Sequence, residues 1–378
     1  MPPATGRGFI VLKKEMRSGY TTGACAAAAL KAALIRLAGT TEDSVDISAL
    51  SGERMCIPIE SVSLTSAGAS AMVIKDAGDD PDITNGMPVL VEAKPGAVGS
   101  GIKFFAGPGV GTVTKDGLSV PAGEPAINPG PRTMMQQVVQ EILGEQGDCE
   151  ITISLPAGVE LAKKTLNPVL GIEGGLSIIG TTGIVRPMSE EGFKNSLSPQ
   201  IDVAKAAGFD SVVFVPGKIG ETIARDKCNL PPEALIQTSN FIGHMLESAV
   251  ERKIRQVMLF GHIGKIGKIA AGIFYTHNRI ADARLETLAA YAGAMGMPVA
   301  GIEQVLAATT TEAALPIING YGLQGVYQRL ARRASERAER YVFHELKIGT
   351  VLLTLQGEIL AMDDTASAIG RDLGWNIK

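Results

Sequence analysis

A chain of 378 residues, 45% hydrophobic, 20% charged and 4% aromatic, has room for two domains with cores of their own. Its formal net charge of −4 gives no general attraction for nucleic acid or an anionic membrane, so an anionic ligand must be met by locally clustered Lys and Arg. The four cysteines, Cys25, Cys56, Cys149 and Cys228, stand far apart with no C-x-x-C pair, which argues against a zinc or redox motif and for reduced, non-catalytic thiols of a cytoplasmic protein.

The start, MPPATGRGFIVLKKEMRSG, lacks an apolar core long enough for a signal peptide. No run of ~18 uncharged apolar residues follows, so no membrane span is expected. Arg17 then leads SGYTTGAC into AAALKAALIRLAG, a run of strong helix formers stopped by Gly39. Ser18, Thr21 or Thr22 can cap this helix, and its free N–H groups would make an anion site. Between Val45 and Val120 the text alternates as short strands with turn residues, including MCIPIESVSL, AMVIKDAG, PVLVEAK and GVGTVTKDGLSV. Gly107–Gly111 fails the G-x-G-x-x-G spacing of a dinucleotide loop, and Asp116-Gly117 reads as a hairpin turn. The acidic stretch Asp76–Asp82 does not fit an EF-hand and reads as a solvated turn. Glu124, Asn128 and Arg132 sit on a proline-stiffened loop that can present a guanidinium to a carboxylate. Cys149–Leu155 alternates as a strand, and the polar residues from Pro156 to Pro168 read as a domain link. An α+β domain over 8–165 is expected.

From Gly174 the chain alternates strand, loop and helix. Leu176–Ile179 opens the loop Gly180-Thr181-Thr182-Gly183, closed by Arg186-Pro187. Ser211–Val215 runs into Pro216-Gly217-Lys218-Ile219-Gly220, and Gln256–Phe260 into Gly261-His262-Ile263-Gly264-Lys265. This order predicts an α/β Rossmann-like domain over 166–378 with a mostly parallel sheet, its three glycine loops gathered at one sheet edge as a ligand cleft. His262 is the candidate for chemistry there. His244, on a helix, reads as a partnered surface histidine with Glu247 in reach. Lys265 and Lys268 share a helix flank, where two lysines near a helix start suggest an anionic partner, and His277-Asn278-Arg279 begins a further polar cluster. The Arg-rich run after Gly325 reads as a solvated helix face, and Lys347–Met362 as a hairpin turning at Gln356-Gly357 that closes the sheet edge.

Seven stretches, in one order, resemble the CbiD family: RSGYTTGACAAAALKAA, KDAGDDPDITNG, GVGTVTKDGL, GEPAINPGPR, GGLSIIGTTGIVRPMS, NFIGHMLE and LFGHIGKIGKIAAG. The resemblance implies a cobalt-precorrin-5B C(1)-methyltransferase of the anaerobic cobalamin pathway. Such an enzyme uses S-adenosylmethionine as cofactor and a cobalt-containing tetrapyrrole as substrate, and yields cobalt-precorrin-6A. Cobalt then arrives within the substrate and no protein metal site is needed. Arg17, Arg132, Arg186, Lys265, Lys268 and Arg279 are the candidate partners of the tetrapyrrole's acetate and propionate groups, with Thr21 and Thr22 beside them. Gly180, Thr181, Thr182, Gly183, Gly217 and Gly220 are the candidates for the cofactor. A GHMP-like small-molecule kinase and a non-catalytic tetrapyrrole carrier stand as alternatives, and a homo-oligomer is left open.

Overall fold

A computed structural model of the chain describes residues 16–145 and 147–376; positions 8–15 of the expected first domain lie outside them. The chain forms two compact units. One runs to Thr114 and resumes over Ser119–Ser189; the other takes Lys115–Leu118 and continues from Glu190.

The first unit is built around the Ala-rich helix Thr22–Leu37, in which every residue from Thr22 to Leu30 is buried. Alanine gives helix propensity at no side-chain entropy and lets neighbours approach closely. Gly39, in a left-handed conformation with φ 99°, ends it as its sequence predicts. The helix lies on a five-stranded sheet in the order Ser61–Leu64, Ala69–Ile74, Pro88–Pro95, Cys149–Ser154, Ile102–Ala106. Its pairs are antiparallel except the last, which is parallel. Period-two alternation places Ala69, Ala71, Val73, Val89, Val91, Ala93, Ile151 and Ile153 in the core with the helix. MCIPIESVSL is two strands rather than one: Arg54–Pro58 pairs with Ser44–Ser48 outside the main sheet.

The units divide after Ser189, well beyond the break expected near residue 165, and tertiary pairing is the reason. Gly175–Leu176 pairs with Gly109–Val110, Ile172–Glu173 with Thr112–Val113, and Ile184–Val185 with Gly19–Tyr20, so this stretch is bound into the first unit. The presumed link 156–168 is folded too. It forms the short helices Gly158–Ala162 and Asn167–Leu170, and a Cβ on Gly158 would lie 2.0 Å from the Gly109 carbonyl.

In the second unit five strands stand in the order Leu235–Gln237, Ser211–Val215, Gln256–His262, Lys347–Leu353, Ile359–Met362. The first three pairings are parallel and the last antiparallel, as the expected closing hairpin requires. Strands covered by helices on both faces read as near-continuous apolar runs, which is how VVFV and VMLF read. On one face Val213, Val215, Met258, Phe260, Val351 and Leu353 pack with Ile223, Ile369 and Trp375. Helices Ile263–Ala270 and Gly325–Tyr341 pack against the sheet and each other. Among the described residues no helix is long and apolar enough to cross a membrane.

Candidate functional site

Four of the sequence motifs meet in the first unit, where the Ala-rich helix begins. Thr21 caps it, its Oγ1 accepting from the Ala24 N–H at 3.1 Å. Thr22 Oγ1 donates to the Ile179 carbonyl and accepts from the Ile179 N–H, both at 3.1 Å, while the Gly23 N–H donates to the same carbonyl at 3.0 Å. The Gly180–Gly183 loop thus lies across the helix start. A Cβ on Gly180 would fall 2.4 Å from Thr21 Oγ1, and one on Gly130 2.4 Å from the Gly180 carbonyl. The expected anion site at this helix is therefore corrected: the donors of Gly23 and Ala24 are taken by protein oxygens. The phosphate cradle that a kinase of the GHMP type would need is filled in the same way.

The cations expected here are mostly engaged. Arg17 forks onto Asp76 at 2.5 and 2.9 Å, and that hydrogen-bonded guanidinium holds the Asp76 carboxyl below the ordinary carboxylate range. Asp80 accepts from the Met188 N–H at 2.9 Å, and Asp82 binds the buried Lys75. The acidic loop is a bracket joining these segments, not the solvated turn its composition suggests. Arg132 donates through Nε to the Ile127 carbonyl at 2.9 Å, pairs with Glu124 at 3.1 Å and lies 5.3 Å over the Phe104 ring, closing its own proline loop. Thr182 Oγ1 is spent on the backbone of Ile184, at 3.1 and 3.2 Å. Thr181 is exposed, and Arg186 is exposed with Glu53 only at 3.7 Å.

In the second unit the expected gathering is found for two of the three glycine loops; the Gly180–Gly183 loop follows no strand of this sheet and belongs to the other unit. Ser211–Val215 and Gln256–His262 are neighbours whose following helices start at one carboxyl edge, where strand order reverses. Open α/β sheets take their ligands at that point. Gly217 precedes helix Lys218–Asp226 with no side-chain cap, and a Cβ on it would meet nothing within 4 Å. Gly220 serves packing, since its Cβ would come 3.2 Å from the Phe260 carbonyl. Lys265, half-buried, donates to the Pro216 carbonyl at 2.9 Å and bridges the two loops; burial lowers its pKa.

Three expected roles change on inspection of partners. His262 accepts the Gly264 N–H at Nδ1, 3.1 Å, and meets Glu312 at Nε2, 2.8 Å, so both ring nitrogens already have protein partners. Glu312 also accepts from the Leu355 N–H at 2.8 Å, which ties two strand ends to helix Thr311–Gly320. Lys268 is fully buried, and its ammonium is spent on the Thr276 and Ala281 carbonyls and Asn278 Oδ1 at 2.7–2.9 Å. Its three donors go to protein acceptors, and it shapes the loop before Arg284. Arg279 is exposed, while Asp282 and Arg284 pair with each other. His244 is partnered, by Ser198 at 3.1 Å and not by Glu247, which accepts from Tyr341.

One residue of this edge escaped the sequence. Thr238 is fully buried just beyond the edge strand, its N–H donating to the Val215 carbonyl at 3.1 Å, yet its Oγ1 has no partner. A buried orphan hydroxyl is destabilising unless an ordered water or a ligand completes it. No spacing rule marks it, because a Thr between strand and loop is ordinary.

The second unit is an α/β fold whose mostly parallel sheet carries an uncapped, glycine-led helix start and a half-buried lysine at its switch point, with an orphan hydroxyl beyond the neighbouring edge strand. Residues 11–187 match the family described as CbiD, and residues 275–364 match the CbiD C-terminal domain. A protein of Moorella thermoacetica, named cobalt-precorrin-5B C(1)-methyltransferase, is 50% identical over 96% of this chain and 99% of its own. One of Methanocaldococcus jannaschii with the same name is 46% identical over 92% of this chain and 96% of its own. A crystal structure of the cobalamin biosynthesis protein cbiD from Archaeoglobus fulgidus has 27% identity over 71% of this chain and 84% of that one, with a TM-score of 0.39. The chain belongs to the CbiD family.

Proposed function

We propose that this chain transfers a methyl group from S-adenosylmethionine to C(1) of cobalt-precorrin-5B, giving cobalt-precorrin-6A. The observation that carries the reading is the 50% identity, over 96% of the chain, to a relative named for that reaction. We read the second unit as Rossmann-like and its switch point as the cofactor's place. The residues there fit: the open, uncapped helix start at Gly217 suits a carboxylate, and the Thr238 hydroxyl is a donor in want of an acceptor. When bound, S-adenosylmethionine supplies an electrophilic methyl on a sulfonium.

The chain's part is to hold two reactants in line, which needs orientation more than a strong base. His262, with both nitrogens occupied, is a positioning residue that fixes the start of helix Ile263–Ala270. Lys265 offers positive charge at the edge to a carboxylate of the macrocycle, as does Arg279 from an exposed position. Incubating the purified protein with S-adenosylmethionine and cobalt-precorrin-5B should add one methyl to the substrate by mass spectrometry. Unchanged substrate in the presence of folded protein would overturn the reading.

A further inference from the structure

Helix Gly325–Tyr341 takes no part in that scheme. Its inner stripe of Val326, Tyr327, Leu330, Ala331, Ala334 and Ala338 is buried. Its other face carries Arg329, Arg332, Arg333, Arg337 and Arg340 against two carboxylates. Glu336 pairs with Arg333 at 2.9 Å, and Glu339 accepts from the Ile348 N–H at 3.0 Å. Among the described residues no carboxylate pairs with Arg329, Arg332, Arg337 or Arg340. Glu336 stands four residues from both Arg332 and Arg340, the spacing of a paired solvated face, yet five arginines here face only two carboxylates. The face concentrates unpaired guanidinium groups in a chain whose net charge is −4.

Three of these arginines also share a cleft. Arg329, Arg332 and Arg333 line it with Gln328, Tyr291 and Glu336, around a volume of about 380 Å³. That is near the lower end for small-molecule pockets. The walls are mainly guanidinium and amide, which suits the carboxylate arms of a ligand and not a flat apolar ring. Contacts place this part of the helix near the carboxyl end of the sheet. Tyr327 Oη donates to the Leu315 carbonyl and Asn319, in the helix whose first turn carries the Glu312 that holds His262. Arg337, two turns further along, lies instead beside Gly272, past the far end of helix Ile263–Ala270.

We infer that the arginine cleft is a subsite for the acetate and propionate arms of the tetrapyrrole, with Arg329 and Arg332 each free to take a carboxylate through a guanidinium fork. The inference rests on the proposed function for the identity of the ligand. Arg329 and Arg332 stand three apart on one helix face, so two neighbouring arms can be met together. The probe is uroporphyrin, a stable porphyrin bearing both kinds of arm, titrated by fluorescence into the wild-type chain and the Arg329→Gln, Arg332→Gln double variant. Glutamine keeps helix propensity, so circular dichroism and melting should be unchanged. Affinity should fall roughly ten- to a hundred-fold, with a weaker dependence on salt. Arg340→Gln, outside the cleft lining, should bind as the wild type does.

Equal affinity in the folded double variant, or no binding by the wild type, overturns the subsite. Methyl transfer separates the two claims. An unchanged KM for the cobalt-precorrin in the double variant removes the subsite and leaves the reaction standing. Arginine-dependent binding of uroporphyrin by a wild type that transfers no methyl removes the reaction and leaves the carboxylate site.

Discussion

Three lysines, Lys75, Lys265 and Lys268, lose water on folding, and each solves the problem with a different partner. Lys75 uses a charge, Asp82, which accepts also from Thr84 Oγ1 and the Thr84 N–H at 2.6 and 2.7 Å. Burial pushes the Asp82 carboxyl up, but Lys75 and the Thr84 bonds outweigh it and hold its pKa below the ordinary carboxylate range. A carboxylate depressed on folding stabilises fully above its unfolded pKa and loses that contribution as pH falls through the folded value. Asp82→Asn leaves a buried ammonium without its counter-charge and should cost about 3 kcal/mol at neutral pH. Denaturant titrations should show the gap to wild type closing as pH drops below the ordinary carboxylate range; a gap that stays constant into strong acid would separate Asp82 from this linkage. Thr238 is the opposite case, a buried group with nothing to bind. Thr238→Val removes the orphan at nearly constant shape, so the free protein should gain about 1 kcal/mol. S-adenosylmethionine affinity by calorimetry should fall roughly ten-fold. A variant less stable than wild type would mean that the hydroxyl is already satisfied.

At the scale of elements, the start of the Ala-rich helix carries the most information. Thr22 fastens residue 179 to the helix through two bonds, so Thr22→Val leaves the Ile179 N–H unpaired. A loss of about 1–2 kcal/mol in thermal unfolding should follow, with faster amide exchange at Ile179 ahead of global unfolding. Unchanged exchange there would detach the loop from the cap. The helix itself was legible, because alanines, a threonine cap and Gly39 act locally. Ser211–Val215 and the closing hairpin were legible for the same reason, through apolar runs and turn residues. The fate of Gly180–Gly183 was not, since its partners lie about 157 positions earlier and nothing local distinguishes a loop that cradles a ligand from one that seals a helix. Lys268 misled similarly: lysine beside lysine suggests an anion, and only the fold shows three acceptors already in place.

Over the whole molecule, each unit has its own core and its own buried thiols. Cys25 and Cys149 lie in the first and Cys228 in the second, where burial pushes their pKa values up to about 12, about 11 and about 11. Cys56 is exposed. Native protein should therefore give one fast equivalent with a thiol reagent, lost in Cys56→Ser, and three more only on unfolding. A second fast thiol would reveal an opening of the unit that holds it. The chain also passes between the units at residue 114, at 118 and again after 189. Within the second unit the short visit is fixed by Lys115 near Glu233 at 3.8 Å and by Gly117, whose Cβ would lie 2.5 Å from the Asp202 carbonyl. On the ribosome, which delivers residues in order, this turn emerges long before the rest of its unit. The first unit must therefore mature with the loop held aside, and the second is completed only by closing around a piece of chain that was translated with its neighbour. A gene split at residue 189 would yield one half carrying a stray loop and another missing its last piece.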